Sequence, residues 1–396
     1  MRNFQIPKGF KFASATCGLK RTNNPDMGLI VSERKCNAFG MFTQNTFKGA
    51  PVIITQKHLK NRTAQAIIVN AGNANVATGE KGLNNAKEMA SMTAKFLNIK
   101  IDDVLVASTG VIGMQLDMNK ITKGIKECTA SLKQNAFKDV AKAIMTTDSY
   151  MKVASESFKV ANKEVTISGM VKGAGMIHPN MATMLCFILT DANIHYSALK
   201  EAMMSSVKKT FNCMTVDGDT STSDMAIILA NGMAENKIIE KKGNAFAEFS
   251  KHLYTVCEKL AKMIAADGEG ATKLIEINIL NCRTEQEGEK IAKKIATSTL
   301  FKTAMFGNDP NWGRIICAIG NSGVNIDPDK IIVDINDITV FRNGIPADYD
   351  EKKLKKSLAK KEIFVTVNLN QGKEKCRVWT CDLTYDYVKI NASYRT

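Results

Sequence analysis

Histidine, tryptophan and proline are scarce in this chain, at four, two and seven residues among 396. The four histidines, His58, His178, His195 and His252, share no metal-ligand spacing, and no metal is expected. No Cys-x-x-Cys pair occurs among the ten cysteines; the closest two are Cys376 and Cys381. Cys186, Cys257 and Cys317 lie in apolar stretches, where the thiol is expected to act as a small buried hydrophobe. Reduced cysteines are therefore expected rather than disulfides. Long apolar runs are also missing: Met184 to Leu189 is far too short to span a bilayer. The segment Met1 to Lys8 has no apolar core of a secretory signal. These absences point to a soluble, cytoplasmic enzyme with no membrane partner.

Negative charge is in deficit. Lysine and arginine total 54 against 39 acidic residues, a formal charge of +15, which raises the question of nucleic acid. The lysines are spread along the chain, and no zinc-finger, RNP-type or basic-zipper pattern is present. Short runs such as Lys352-Lys353 and Lys355-Lys356 alternate with apolar residues at helical spacing and read as a solvated helix face. No nucleic-acid partner is expected; attraction of carboxylate substrates is another use for the charge.

What is present is an alternation of helical and strand-like periodicity, the pattern of an α/β fold. Amphipathic spacing predicts helices over 85–97, 136–145, 197–211 and 245–266, with a capping box at Thr284-x-x-Glu287. Strands are expected over 164–171, 183–189, 273–280, 331–335, 363–369 and 376–383, the last two joined as a hairpin through Gln371-Gly372. The length allows two or three domains, but no linker or charge block separates them.

Four glycine- or asparagine-rich segments interrupt the periodicity: Asn70 to Asn75, Ala107 to Gly110, Lys172 to Gly175 and Asp267 to Gly270. Each can turn backbone N–H groups outward. None fits a P-loop or a dinucleotide fingerprint, and each alone reads equally as a turn. Two of them carry Lys172 and Glu269, so a shared site is plausible. Between Val171 and Asp191 a strand runs into a loop containing Pro179 and Asn180, and a continuous apolar run follows Thr183 at once. Such a run is the pattern of a buried central strand, with Thr183 at its start. An ordinary loop-to-strand junction would look the same.

The stretch Lys172-Gly-Ala-Gly-Met-Ile-His-Pro-Asn-Met-Ala-Thr-Met-Leu185 resembles the self-cleavage signature of the ornithine acetyltransferase family, the bifunctional ArgJ-type enzymes. Further blocks resemble the family in the family's order: Pro7 to Phe10, Asn70 to Asn75, Ala107 to Gly113, Met145 to Asp148, Asp267 to Lys273, Asn308 to Arg314 and Ile390 to Thr396. They run from near the first residue to the last. The resemblance implies a layered α/β sandwich of the ornithine acetyltransferase and DmpA-like type, similar to N-terminal-nucleophile hydrolases but with different connectivity. It implies cleavage between Ala182 and Thr183 into a fragment 1–182 and a fragment 183–396, one intertwined catalytic unit that assembles as α2β2. The implied reaction is ping-pong transfer of acetyl from N2-acetyl-L-ornithine to L-glutamate, in arginine biosynthesis. Acetyl-CoA is a possible co-substrate, and no metal or organic cofactor is implied.

By the same resemblance Thr183 is the nucleophile. Its new α-amine, with an ordinary pKa of about 7.7–8.0, serves as the base. Thr109 and Gly110 are implied as the oxyanion hole. Thr146, Lys172, Thr183, Glu269, Asn391 and Thr396 are implied as substrate contacts, with Thr147 the close alternative to Thr146. Lys172 could hold a substrate carboxylate or lower the pKa of the Thr183 amine. Glu269 could bind the substrate's amino end or relay protons. Each also has a bland reading, Lys172 as a solvated loop lysine, Glu269 as a turn acid, Asn391 and Thr396 as a frayed terminus. His178 is expected to be structural, Trp312 to pack and Arg314 to meet a carboxylate. The rivals are a self-processing aminopeptidase or amidase on the same fold and, from another class, a basic nucleic-acid-binding protein.

Overall fold

The structure, a computed structural model, describes residues 4–178 and 184–393. The chain forms two compact units. The first comprises residues 1–173, 179–212 and 220–260; the second comprises 174–178, 213–219 and 261–396. The chain crosses between them several times, so no linker could have shown in the sequence.

Among the described residues the first unit holds an eight-stranded sheet. Its strands are β1 (Phe10–Ala15), β2 (Met27–Phe42), β3 (Thr63–Asn73), β4 (Val104–Val111), β5 (Lys152–Val160), β6 (Lys163–Lys172), β7 (Leu185–Thr190) and β8 (Met225–Ala230). The order is β4-β3-β2-β8-β7-β6-β5, with β1 added beside β2. β3 runs parallel to β4 and β7 parallel to β8, and the other pairs are antiparallel. β2 serves two neighbourhoods because its register slips: Val31 faces Ala66, whereas Cys36 faces Ala64. The intervening Glu33, Arg34 and Lys35 are exposed. Charged residues bulging from the ladder spare the core three desolvated charges.

Both faces of this sheet are covered, which is why its strands read as continuous apolar runs. Leu185, Phe187 and Leu189 join Ile67, Val69, Phe137 and Val140 in one cluster. Ala66, Ile68, Val104 and Val106 join Met89, Ala90, Ile121 and Ile125 in another. The helix Asn244–Ala266 comes close to β6 because Gly169 has no Cβ; one placed there would lie 2.7 Å from Leu260 Cδ1. β7 is buried at every residue, as expected of a central strand.

Among its described residues the second unit holds a six-stranded sheet of β9 (Leu274–Cys282), β10 (Ile332–Ile335), β11 (Ile338–Arg342), β12 (Ile345–Pro346), β13 (Glu362–Asn368) and β14 (Glu374–Cys381). Burial alternates along β9 and β13, the pattern of a sheet with one covered face. That face packs on Ile291, Ile295, Phe301, Ile315 and Leu354 from four helices. The expected hairpin through Gln371-Gly372 does not form. β9 lies between β13 and β14, parallel to the first and antiparallel to the second. The turn is instead held by β9, with Gln371 N donating to Asn281 O at 2.9 Å. Local sequence cannot reveal a strand inserted from 80 to 100 positions upstream, roughly the separation seen here.

The predicted helices are present as Gly79–Leu97, Phe137–Ala143, Tyr196–Lys209 and Asn244–Ala266. Thr284 caps its helix through Glu287 N, at 3.2 Å. The lysine-rich helix Glu351–Leu358 buries Leu354 and Leu358 and exposes its lysines. All ten cysteines are free; Cys186 and Cys257 are buried, but Cys317 is exposed, contrary to expectation. Cys317 lies in the helix Gly313–Gly320, which buries Ile315, Ala318 and Ile319, so its apolar neighbours face inward while it faces out. Among the described residues no helix is long and apolar enough to cross a membrane.

Candidate active site

Thr109 and Gly110 stand at the end of β4, opposite Ala71 and Gly72 of β3. Gly110 has φ +132, and a Cβ there would lie 2.3 Å from the Gly72 carbonyl carbon. Only glycine permits so close a backbone approach. The asparagines of the block 70–75 lock the loop that follows. Ser108 Oγ donates to Asn70 Oδ1 at 2.6 Å, and Asn70 Nδ2 donates to Asn73 O at 2.9 Å. Asn73 Nδ2 reaches the carbonyls of Met114 and Gln115, and Asn75 Nδ2 that of Gly82. Thr109 is buried within this frame.

A second group forms at the end of β6. Lys172 faces Leu185, the first residue of β7, and its Nζ donates to Thr146 Oγ1 at 3.2 Å. Asp148 anchors the cluster. Its Oδ1 accepts from Lys152 Nζ at 2.6 Å and Gly173 N at 2.7 Å, and its Oδ2 accepts from Thr146 N at 3.0 Å. Burial alone would raise the Asp148 carboxyl, but Lys152 and Lys172 outweigh it and hold the group below its ordinary value. Lys20, from the loop between β1 and β2, donates to Pro25 O and Ala143 O at 2.7 and 2.9 Å. Burial lowers its pKa to about 8, against the pull of Asp26 and Asp148 and with the push of Lys172. The neighbouring Leu19 carbonyl lies 2.8 Å from where a Gly72 Cβ would be. One short loop thus lies against the β3–β4 end and within electrostatic reach of Asp148 and Lys172.

Asp224 immediately precedes β8, and the next residue's N–H bonds Met184 O at 2.8 Å. Among the described residues its Oδ2 is buried without a hydrogen-bond partner, and burial raises this carboxyl well above the ordinary range.

In the second unit Glu269 and Asn391 come together. Asn391 Nδ2 donates to Glu269 Oε2 at 2.8 Å, and Glu269 N donates to Ala174 O at 2.9 Å. Gly175 makes the space: a Cβ there would lie within 2.4–2.5 Å of the Glu269 carboxylate. Glu269 is 8% exposed, not a solvated turn acid.

Of the expected site residues, the structure therefore joins Lys172 to Thr146 and Glu269 to Asn391, and seats Thr109 beside Gly110. Ala182, Thr183 and Thr396 lie outside the described residues. His178 Nδ1 lies 3.1 Å from Thr215 Oγ1, and burial lowers its pKa. Trp312 packs at 5.6 Å on Phe341 and donates to Tyr349 Oη at 3.1 Å. Arg314 meets the Leu300 carbonyl at 2.6 Å and Thr303 Oγ1 at 3.2 Å rather than a carboxylate. Sequence reasoning gave no role to Asp148, Lys152, Lys20 or Asp224. Asp148 stood inside a quoted block, and its two-residue offset from Thr146 was the one available signal. Among the described residues no cluster of three or more His, Cys, Asp or Glu is placed to hold a metal.

Glycine closes the end of two parallel strands, and Lys172 stands at the entry to a buried strand, in a chain of the α/β class. The sequence matches the ArgJ family over residues 11–396, and the chain belongs to that family. It is 48% identical over 396 residues to the arginine biosynthesis bifunctional protein ArgJ of Caldanaerobacter subterraneus subsp. tengcongensis, covering 99% of this chain and 98% of that one. It is 47% identical to the protein of the same description from Thermotoga neapolitana, covering 99% and 100%. The crystal structure of the arginine biosynthesis bifunctional protein from Bacillus halodurans matches at 45% identity and a TM-score of 0.51, covering 52% of this chain and 98% of that chain. The protein is accordingly an acetyltransferase of arginine biosynthesis, acting between ornithine and glutamate.

Proposed function

We propose that this chain cuts itself between Ala182 and Thr183 and then carries acetyl on the Thr183 hydroxyl, from N2-acetyl-L-ornithine to L-glutamate. The supporting observation is the Lys172–Thr146 pair held by Asp148 opposite the first residue of β7, two positions beyond Thr183. In the cleavage the Thr183 oxygen bonds to the Ala182 carbonyl carbon and the amide C–N bond breaks. The hydroxyl proton passes to the departing nitrogen, which becomes the free α-amine. Water then hydrolyses the ester, leaving an Ala182 carboxylate and restoring the hydroxyl. The solved Bacillus halodurans chain, nearly all of it matched by about half of this one, has the length expected of one fragment.

In transfer, the α-amine takes the hydroxyl proton as the oxygen attacks the acetyl carbonyl, and returns a proton to the leaving ornithine nitrogen. The incoming glutamate nitrogen reverses the sequence. Thr109 Oγ1 and the Gly110 N–H hold the oxyanion. Lys172 with Thr146 is a substrate contact in this reading, and Glu269, Asn391 and Thr396 are substrate contacts as well. The cut fragments assemble as α2β2 in the cytoplasm. Acetyl-CoA as a second acetyl donor belongs to the same proposal, since both relatives are described as bifunctional.

Intact mass under denaturing conditions tests the reading. Two fragments that meet at 182/183, and a single uncut chain in Thr183→Ala without transfer, are expected. A cut and active Thr183→Ala would sink it. Ornithine release that does not need glutamate would favour the hydrolase.

A further inference from the structure

Residues 174–178, which lead toward the cleavage bond, are gripped by residues 215–219 of the same unit. Asp217 Oδ2 accepts from Met176 N at 2.6 Å and its Oδ1 from Ile177 N at 2.8 Å. The Ile177 carbonyl receives Val216 N at 2.7 Å and Thr215 Oγ1 at 2.9 Å. Thr215 spends its single proton there, so His178 must donate to Thr215 through Nδ1, at 3.1 Å. Both backbone groups of Ile177 are thus fixed, one by a carboxylate and one by a hydroxyl and an amide. Charge-assisted bonds of this kind are the strong ones.

The grip holds a strained conformation. Met176 has φ +54, a left-handed backbone that is unusual for a long side chain. Its side chain is 43% exposed and does not account for the conformation by packing. The Asp217 bonds to Met176 N and Ile177 N, one on each side of the Met176 Cα, do account for it. The chain direction at His178 therefore depends on Asp217.

We infer that Asp217, with Thr215, is a positioning clamp for self-cleavage, aiming the segment that enters the 182/183 bond. The inference rests on the cleavage proposed above. An N-to-O shift needs the hydroxyl close to its own preceding carbonyl in an attack geometry, and small misplacements cost large rate factors. Without the carboxylate, Met176 relaxes toward an ordinary φ and the backbone at Ile177 and His178 is no longer held in place.

The test is the rate at which the uncut 43.4 kDa chain disappears after rapid purification, followed by intact mass. Asp217→Ala is expected to cut at least about tenfold more slowly than wild type, because two strong bonds are lost. Adding Met176→Gly to Asp217→Ala should restore part of the rate, since glycine adopts positive φ without penalty. A merely structural role for Asp217 would not be rescued by a glycine at 176. Thr215→Val, which keeps the side-chain shape, should cut several-fold more slowly, and it decides the question if Asp217→Ala fails to fold. A wild-type rate in a folded Asp217→Ala, or in Thr215→Val should the former be insoluble, overturns the clamp alone. An Asp217→Ala rate that Met176→Gly leaves unimproved also overturns it. A wild-type chain that never cuts overturns the cleavage reading itself, and the clamp with it.

Discussion

Asp148 and Lys152 form an ion pair of 2.6 Å in which neither side chain reaches solvent. A pair so placed is compensated only while both partners are present, and the same carboxylate also takes the N–H groups of Thr146 and Gly173. Asp148→Asn should therefore destabilise the fold by about 3–5 kcal/mol and raise the KM for the acetyl donor, as Lys172 and Thr146 lose their anchor. Denaturant unfolding and initial rates check the two effects; a variant with wild-type stability and KM would remove Asp148 from the site.

The pH dependence of that loss has a definite sign. The folded Asp148 carboxyl sits below its ordinary value near 3.8, so its contribution is present above that value. It disappears as acid carries the pH down through the lowered folded value. The stability gap between wild type and Asp148→Asn should be constant near neutrality and narrow steadily below about pH 4. Unfolding curves at a series of acid pH values measure it, and a gap that widens with acid would contradict the assignment.

Thr109→Val keeps the shape of a buried side chain at the end of β4 and removes only the hydroxyl. Loss of one oxyanion donor lowers kcat by about 10²–10³. Thermal unfolding should move little by comparison. Unchanged kcat would exclude the hydroxyl from the oxyanion hole.

Gly175→Ala places a methyl group within 2.4–2.5 Å of the Glu269 carboxylate. The acid must shift and release Asn391. The expected result is a raised KM for ornithine-bearing substrate, with Asn391→Ala giving a smaller change in the same direction. Identical KM values in both variants and wild type would separate this pair from substrate.

Cys317 is exposed while Cys186 and Cys257 are fully enclosed. A thiol reagent applied to native protein should modify Cys317 early and Cys186 and Cys257 only on unfolding, as peptide mapping would show. Early labelling of Cys257 would mean that the helix Asn244–Ala266 opens readily.

Much of this was legible in the residues themselves. The apolar run after Thr183 read as a central strand because a strand covered on both faces has no polar side to show, and β7 is buried throughout. The Thr284 cap and the amphipathic helices were legible for the same local reason, since their hydrogen bonds and burial repeat within a few residues. The glycine and asparagine breaks marked where the backbone leaves regular structure, and the family blocks supplied the candidates Thr146, Lys172, Glu269 and Asn391, which the structure brings together in two pairs.

The rest depended on partners far along the chain. Asn73 reaches the carbonyls of Met114 and Gln115, Asn75 that of Gly82, and Asp148 reaches Gly173. Cys317 looked buried because its neighbours are apolar, yet only the helix phase decides which of them faces in. The hairpin expected at Gln371-Gly372 gave way to β9, a strand from nearly a hundred positions earlier. Periodicity reports which residues seek a covered face, so the sequence by itself determined the elements, the family and the candidate nucleophile. Which charges end up buried against which, and so which carboxylate anchors Lys172 and which one grips Ile177, was decided only by tertiary structure, because desolvation and pairing are properties of the packed neighbourhood.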